Sequence, residues 1–102
     1  MPEFAHPFSG LAHDRKVTHQ ELIRAIRYMI AAEYEAVQLY MQLAESTDNK
    51  LAQAVLVDIA NEEREHAGEF LSLLRELAPD EEDFYAKGYA EVEEIIQEQG
   101  NQ

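Results

Sequence analysis

Residues 50–77 read KLAQAVLVDIANEEREHAGEFLSLLREL. The run holds no proline and one glycine, Gly68, so nothing in it stops a helix. Counted in alternating steps of three and four from Ala52, it gives Leu56, Ile59, Glu63, His66, Phe70, Leu73 and Leu77. That is an apolar seam interrupted at its centre by an acid and an imidazole. The stretch therefore predicts a long amphipathic helix over about 50–77, ended by Ala78-Pro79, with two metal-binding side chain types on its buried side.

The segment before it has the same design. Thr18-His19-Gln20-Glu21 is a capping box, in which hydroxyl and carboxylate each satisfy a free amide at a helix start. The helix it opens extends to about residue 45, and its seam reads Ile23, Ile26, Ile30, Glu33, Val37, Tyr40 and Ala44. Ser46-Thr47-Asp48-Asn49 is a short polar turn that also supplies a cap for the second helix. Two helices of near-equal length across such a turn predict an antiparallel hairpin. Beyond Pro79 the acidic run Asp80-Glu81-Glu82-Asp83 precedes a weaker third helix, expected over about 84–99, with a thin stripe of Phe84, Val92, Ile95 and Ile96. Residues 1–16 carry His6-Pro7 and Ser9-Gly10 without periodicity and are expected to be a flexible arm. The fold class is all-α, one helical domain over 17–99.

Composition narrows the chemistry. The chain has 102 residues, a net charge of −13 and no cysteine, so disulfides, zinc fingers, cysteine-ligated iron–sulfur clusters and thiol catalysis are excluded. Metal would have to be held by carboxylate and imidazole. The acidity and the lack of a basic patch argue against nucleic acid and anionic membranes as partners. With no signal-peptide pattern and no apolar run near the ~20 residues of a membrane span, a soluble cytoplasmic protein is expected.

The seams meet at one level. In a hairpin folded about residues 46–49, position 33 lies opposite position 62, so Glu33 and Glu63 fall within about one residue of each other and His66 one turn further. Acids make up a fifth of this chain, and one glutamate on a seam would be unremarkable; Glu62, Glu65, Glu69 and Glu76 read as a solvated face. Glu63 and His66, however, form Glu-x-x-His on one face, and Glu33 reaches the same level independently. Unpaired carboxylates there would cost several kcal/mol of desolvation, on the order of magnitude typical of buried ions. A cation is the simplest neutraliser. Di-iron carboxylate bundles take one glutamate from each of two helices and Glu-x-x-His from each of two more. One hairpin supplies half of that set, so two copies related by a two-fold axis would complete both a four-helix bundle and the ligands. Four glutamates, two neutral imidazoles and two divalent irons then balance in charge. Manganese or zinc would suit the same donors. His6, His13 and His19 sit in the arm or first turn and read as solvent-exposed.

Ala32-Glu33-Tyr34-Glu35-Ala36-Val37, followed by Tyr40 and then by Asn61-Glu62-Glu63-Arg64-Glu65-His66-Ala67, resembles the encapsulated ferritins, short two-helix members of the ferritin-like superfamily. It is especially similar to the ferritin-like domain fused to some archaeal encapsulin shells. The resemblance implies a ferroxidase that oxidises Fe²⁺ with oxygen at a dimer interface, two irons per dimer, in an open ring-shaped decamer serving an encapsulin compartment. It implies Glu33, Glu63 and His66 as iron ligands, Tyr40 as the site tyrosine and Glu35 as an outer acidic position near metal access, where calcium could also bind. The sequence departs from close relatives at Ala32, where a second acidic access residue is common, and at Leu39, where a tryptophan stands. It also lacks the apolar-basic cargo peptide at its C-terminus. A rubrerythrin-like di-iron peroxidase and a non-enzymatic acidic dimerisation module are the alternatives.

Overall fold

The structure, a computed structural model, describes residues 15–101. Most of the expected arm, with His6 and His13, lies outside the described residues. Among these, three α-helices follow in order: α1 (His19–Glu45), α2 (Lys50–Leu77) and α3 (Asp80–Gly100). No helix among the described residues is long and apolar enough to cross a membrane.

Local chemistry fixes each boundary. The Thr18 hydroxyl accepts from the Glu21 amide at 3.2 Å, and the Glu21 carboxylate accepts from the Thr18 amide at 2.8 Å, completing the capping box. Arg15 donates to both Glu21 oxygens at 2.7 Å. The guanidinium, first, and the Thr18 amide hold this carboxyl down at a pKa of about 2. At the far end the Ser46 hydroxyl donates to the Gln42 carbonyl at 2.7 Å. Asn49 then caps α2 by accepting from the Ala52 amide at 2.9 Å, and the Gln53 amide group ties the turn by donating to the Thr47 carbonyl at 2.6 Å. Ser46, Thr47 and Asn49 of the tight turn thus help to stop one helix and start the next.

α1 and α2 form the antiparallel hairpin. Ile23, Ile26, Ile30 and Ala44 are buried on α1, all on the predicted seam. On α2 the buried line is Ala60, Ala67 and Leu74, continuing to Ala78, one residue on from the heptad count. This corrects the seam drawn from Ala52 to Leu77: its larger members flank the contact, and Leu73 is exposed. Of those larger members Phe70 and Leu77 still pack against the core from its margin. The main core, Ile23, Ile26, Ile30, Leu74 and Ala78 with Phe70 and Leu71 against it, occupies the end away from the turn. Between Ile30 and Ala44, α1 has no fully buried residue.

α3 begins at Asp80, four residues before the expected start. Pro79 takes the N-cap position at φ −57°, which its ring favours, and the acidic run forms the first turn itself, where four carboxylates meet the positive end of the helix dipole. That turn is tied to the hairpin by ion pairs of Arg27 with Glu81 and of Arg75 with Glu82, the latter at 3.1 Å. The Tyr85 hydroxyl also donates to Glu81. From Ala86 onward α3 is exposed.

Candidate metal centre

Glu33 sits mid-way along α1, where the seam changes from isoleucine to mixed residues. Glu63 and His66 sit one turn apart on α2. The fold brings the three together: one ligand atom from each lies within 4.8 Å of the others. His66 Nδ1 is 3.8 Å from Glu33 Oε2 and 3.7 Å from Glu63 Oε2. These distances are too long for hydrogen bonds. They suit a shared ion, because two ligand atoms each bound at ~2.0–2.2 Å cannot stand more than ~4.4 Å apart.

Burial across the trio is uneven. The Glu33 and Glu63 side chains are 16% and 20% exposed, whereas His66 is 47% exposed. Glu33 Oε2 is buried with no hydrogen-bond partner, the one such side-chain atom among the described residues. A carboxylate oxygen in that position is costly unless something positive approaches it. The donors present, two carboxylates and one imidazole, are the oxygen and nitrogen set that suits a first-row divalent ion. The residues therefore fit a metal ion, and Glu33, Glu63 and His66 are those that could hold one.

The site opens outward. His66 forms its exposed rim, and the exposed apolar residues Leu43 of α1 and Val55 and Leu73 of α2 lie along the same side of the hairpin. Tyr40, half-buried, is two turns from Glu33 on the same face of α1, a displacement of about 10 Å along the axis. Glu35, also half-buried, follows Glu33 by two residues and so projects about 160° away round the helix; the structure does not bring it to the trio. His19 is exposed at the far end of the hairpin, its Nε2 2.9 Å from the Leu77 carbonyl oxygen. The acidic side chains Glu62, Glu65 and Glu69 are exposed on α2. Sequence reasoning had no signal for the stranded Glu33 oxygen, because that depends on which neighbours fail to reach it.

Comparison with known proteins places the chain. The Rubrerythrin family profile matches residues 24–100. The chain is 43% identical over 81 residues to the encapsulin nanocompartment cargo protein EncC of Myxococcus xanthus, an alignment covering 79% of this chain and 61% of that protein. It is 37% identical over 82 residues to a ferritin-like–encapsulin shell fusion protein of Pyrococcus furiosus, covering 80% of this chain and 24% of the other. It therefore spans less than two thirds of either relative's length. Among solved structures, the encapsulated ferritin domain from Pyrococcus furiosus superposes with a TM-score of 0.79 at 35% identity, covering 83% of this chain and 87% of that one.

Proposed function

The chain belongs to the rubrerythrin family of ferritin-like proteins, and from that premise we propose that it is a ferroxidase, oxidising Fe²⁺ to Fe³⁺ with oxygen at a site shared by two copies. The observation that carries this reading is the buried, unpartnered Glu33 oxygen set beside Glu63 and the half-open His66.

The roles follow from the donors. Fe²⁺ is the substrate: a pair of ferrous ions surrenders one electron each, and dioxygen is the acceptor. Glu33 and Glu63 bind the ions and neutralise their charge, and this matters more after oxidation, since Fe³⁺ carries more charge and prefers hard oxygen donors. Burial strengthens that electrostatic contribution because the surroundings screen it less than water does. His66 completes the shell from the rim, and its exposure is where a second hairpin would close over the site. Pairing would bury Leu43, Val55 and Leu73 at the same time. Tyr40 would then lie inside the completed bundle near the ions, and the outer carboxylates, Glu35 among them, would raise the local Fe²⁺ concentration.

The relatives are described as an encapsulin cargo protein and an encapsulin fusion, which supports a place inside an encapsulin compartment in the cytoplasm; the ring of ten rests on the family resemblance alone. An open ring of such short chains would enclose little volume, so it would oxidise iron but not keep the product soluble. The family match also favours a second reading, a peroxidase that uses hydrogen peroxide at the same residues.

The test is stopped-flow oxidation of Fe²⁺ with native mass spectrometry of the protein with and without the ion. Two irons per pair of chains, faster turnover with oxygen than with peroxide, and loss of turnover in Glu63→Ala and His66→Ala are expected. Faster peroxide turnover would select the peroxidase, and absence of stoichiometric iron binding would overturn both in favour of a dimerisation module.

A further inference from the structure

The chain has no cysteine, and its sulfur lies in three methionines, Met1, Met29 and Met41. Met1 is outside the described residues; Met29 and Met41 are both on α1 and both half-buried. Met29 precedes Glu33 by four residues. It therefore stands about 6 Å away along the axis and about 40° round it, the spacing at which side chains of one helix become neighbours.

Helical rotation settles which side Met29 takes. Ile26 and Ile30 are buried against α2, and Arg27, Ala31 and Tyr34 line an open cleft on one flank of that contact. Rotation carries Met29 to the opposite flank, the one toward which Glu33 is also displaced. The hairpin register agrees. Glu33 meets Glu63, so position 29 comes level with position 67, beside His66. A thioether therefore borders the carboxylate and imidazole trio. Met41 is eight residues beyond Glu33, about 12 Å along the helix, and is half-buried like Met29 but remote from the site.

A thioether in that place matters if the site reduces oxygen, and here the inference rests on the ferroxidase reading. Two Fe²⁺ ions supply two electrons, which carry dioxygen and two protons only as far as hydrogen peroxide. The Met29 sulfur is the nearest thioether to that peroxide. Its lone pair attacks one peroxide oxygen, the O–O bond breaks, an S–O bond forms, and the other oxygen leaves as water. Sulfur thus gives up the two further electrons that the iron pair does not supply, and the product is methionine sulfoxide. Methionine's unbranched, polarisable side chain lets the sulfur turn toward the ions without disturbing Ile26 and Ile30.

We propose that Met29 is a modification site, oxidised to the sulfoxide by peroxide formed beside it, one oxygen atom per side chain. Because the oxidant arises at the site, the reaction does not need access from bulk solvent, and it proceeds in paired chains. It consumes peroxide before release and is undone by methionine sulfoxide reductases. Each chain therefore carries one renewable reductant next to its iron ligands.

The test gives the chain two Fe²⁺ per pair of copies in air, with catalase in solution to destroy peroxide that escapes, and maps the digested protein by mass spectrometry. The Met29 peptide is expected to gain the mass of one oxygen atom several-fold more often than the Met41 peptide. Metal-free chains treated with hydrogen peroxide should instead oxidise the two methionines alike, because the two are similarly buried. As a second measurement, without catalase, Met29→Leu should release more peroxide per iron oxidised than wild type, with circular dichroism checking that the helices persist. Fe³⁺ absorbance reports turnover separately. Fe³⁺ formation with Met29 oxidised no more than Met41, the same Met29 preference in metal-free chains, or equal peroxide release by wild type and Met29→Leu would overturn the proposal and leave Met29 a packing residue. Absence of Fe³⁺ formation would overturn the ferroxidase reading and the proposal with it.

Discussion

Replacing Glu33 with methionine should make the metal-free protein more stable. Oε2 of Glu33 is buried without a hydrogen-bond partner, and its side chain keeps only 16% of its surface exposed. A buried acceptor left unsatisfied costs about 1–3 kcal/mol. Methionine has similar length, is flexible enough to fill the same space and carries no strong acceptor. For a domain of this size each 1 kcal/mol moves the melting temperature by roughly 4–8 °C, so Glu33→Met should melt at least about 4 °C above wild type. The assay is thermal unfolding followed by circular dichroism, with chelator and at fixed chain concentration, since association also contributes to apparent stability. Anaerobic Fe²⁺ should then reverse the order: wild type gains about 2.7 kcal/mol at a ligand concentration a hundred times Kd, and Glu33→Met gains little. If Glu33→Met melts no higher than wild type in chelator, the oxygen is already satisfied and the argument for a cation from burial fails.

Other outcomes follow from the same geometry. Glu65→Ala should retain Fe²⁺ oxidation within about twofold while Glu63→Ala loses it, because Glu65 points roughly 160° from the α2 contact line at Ala67; initial rates decide. Thr18→Ala should cost about 0.5–2 kcal/mol in denaturant unfolding by removing the α1 cap. Glu21 has a folded pKa of about 2, below its ordinary 4.5, so its contribution is present above about pH 4.5 and is lost as pH falls through 2; Glu21→Gln should flatten the acid limb of the stability curve. Tyr85 is pushed up to about 12 by its hydrogen bond to the Glu81 carboxylate and by burial. Its stabilisation is complete below the unfolded pKa near 10 and is lost as pH rises through 12, and ultraviolet titration should lose its latest phenolate step in Tyr85→Phe.

The sequence carried the hairpin because caps, turn and apolar spacing agreed along α1, and because Glu-x-x-His is visible without tertiary knowledge. It misplaced the α2 contact line for a physical reason. Hydropathy marks a residue as apolar but does not say which partner covers it, so Leu73 and Ile59 outweighed Ala60 and Ala67, which make the intrachain contact. For α3 the acidic run does signal a helix start, as the dipole favours, but the first helical residue is expected at Phe84, whereas the acids themselves form the first turn from Asp80. The pairing of Arg27 with Glu81 joins residues 54 apart in the chain, and no local pattern announces it.

The attachment of α3 at one end has a mechanical consequence. A helix of 21 residues is about 31 Å long, and its fulcrum is the ion-paired turn around Glu81 and Glu82. A tilt of about 10° there sweeps the far tip through ~5 Å, given that length, a distance comparable to a full helical turn. Small changes at the root, such as salt screening of the Arg75–Glu82 pair, are therefore magnified at the tip. α3 is thus built like a lever, its angle to the hairpin held by the few charges at its root.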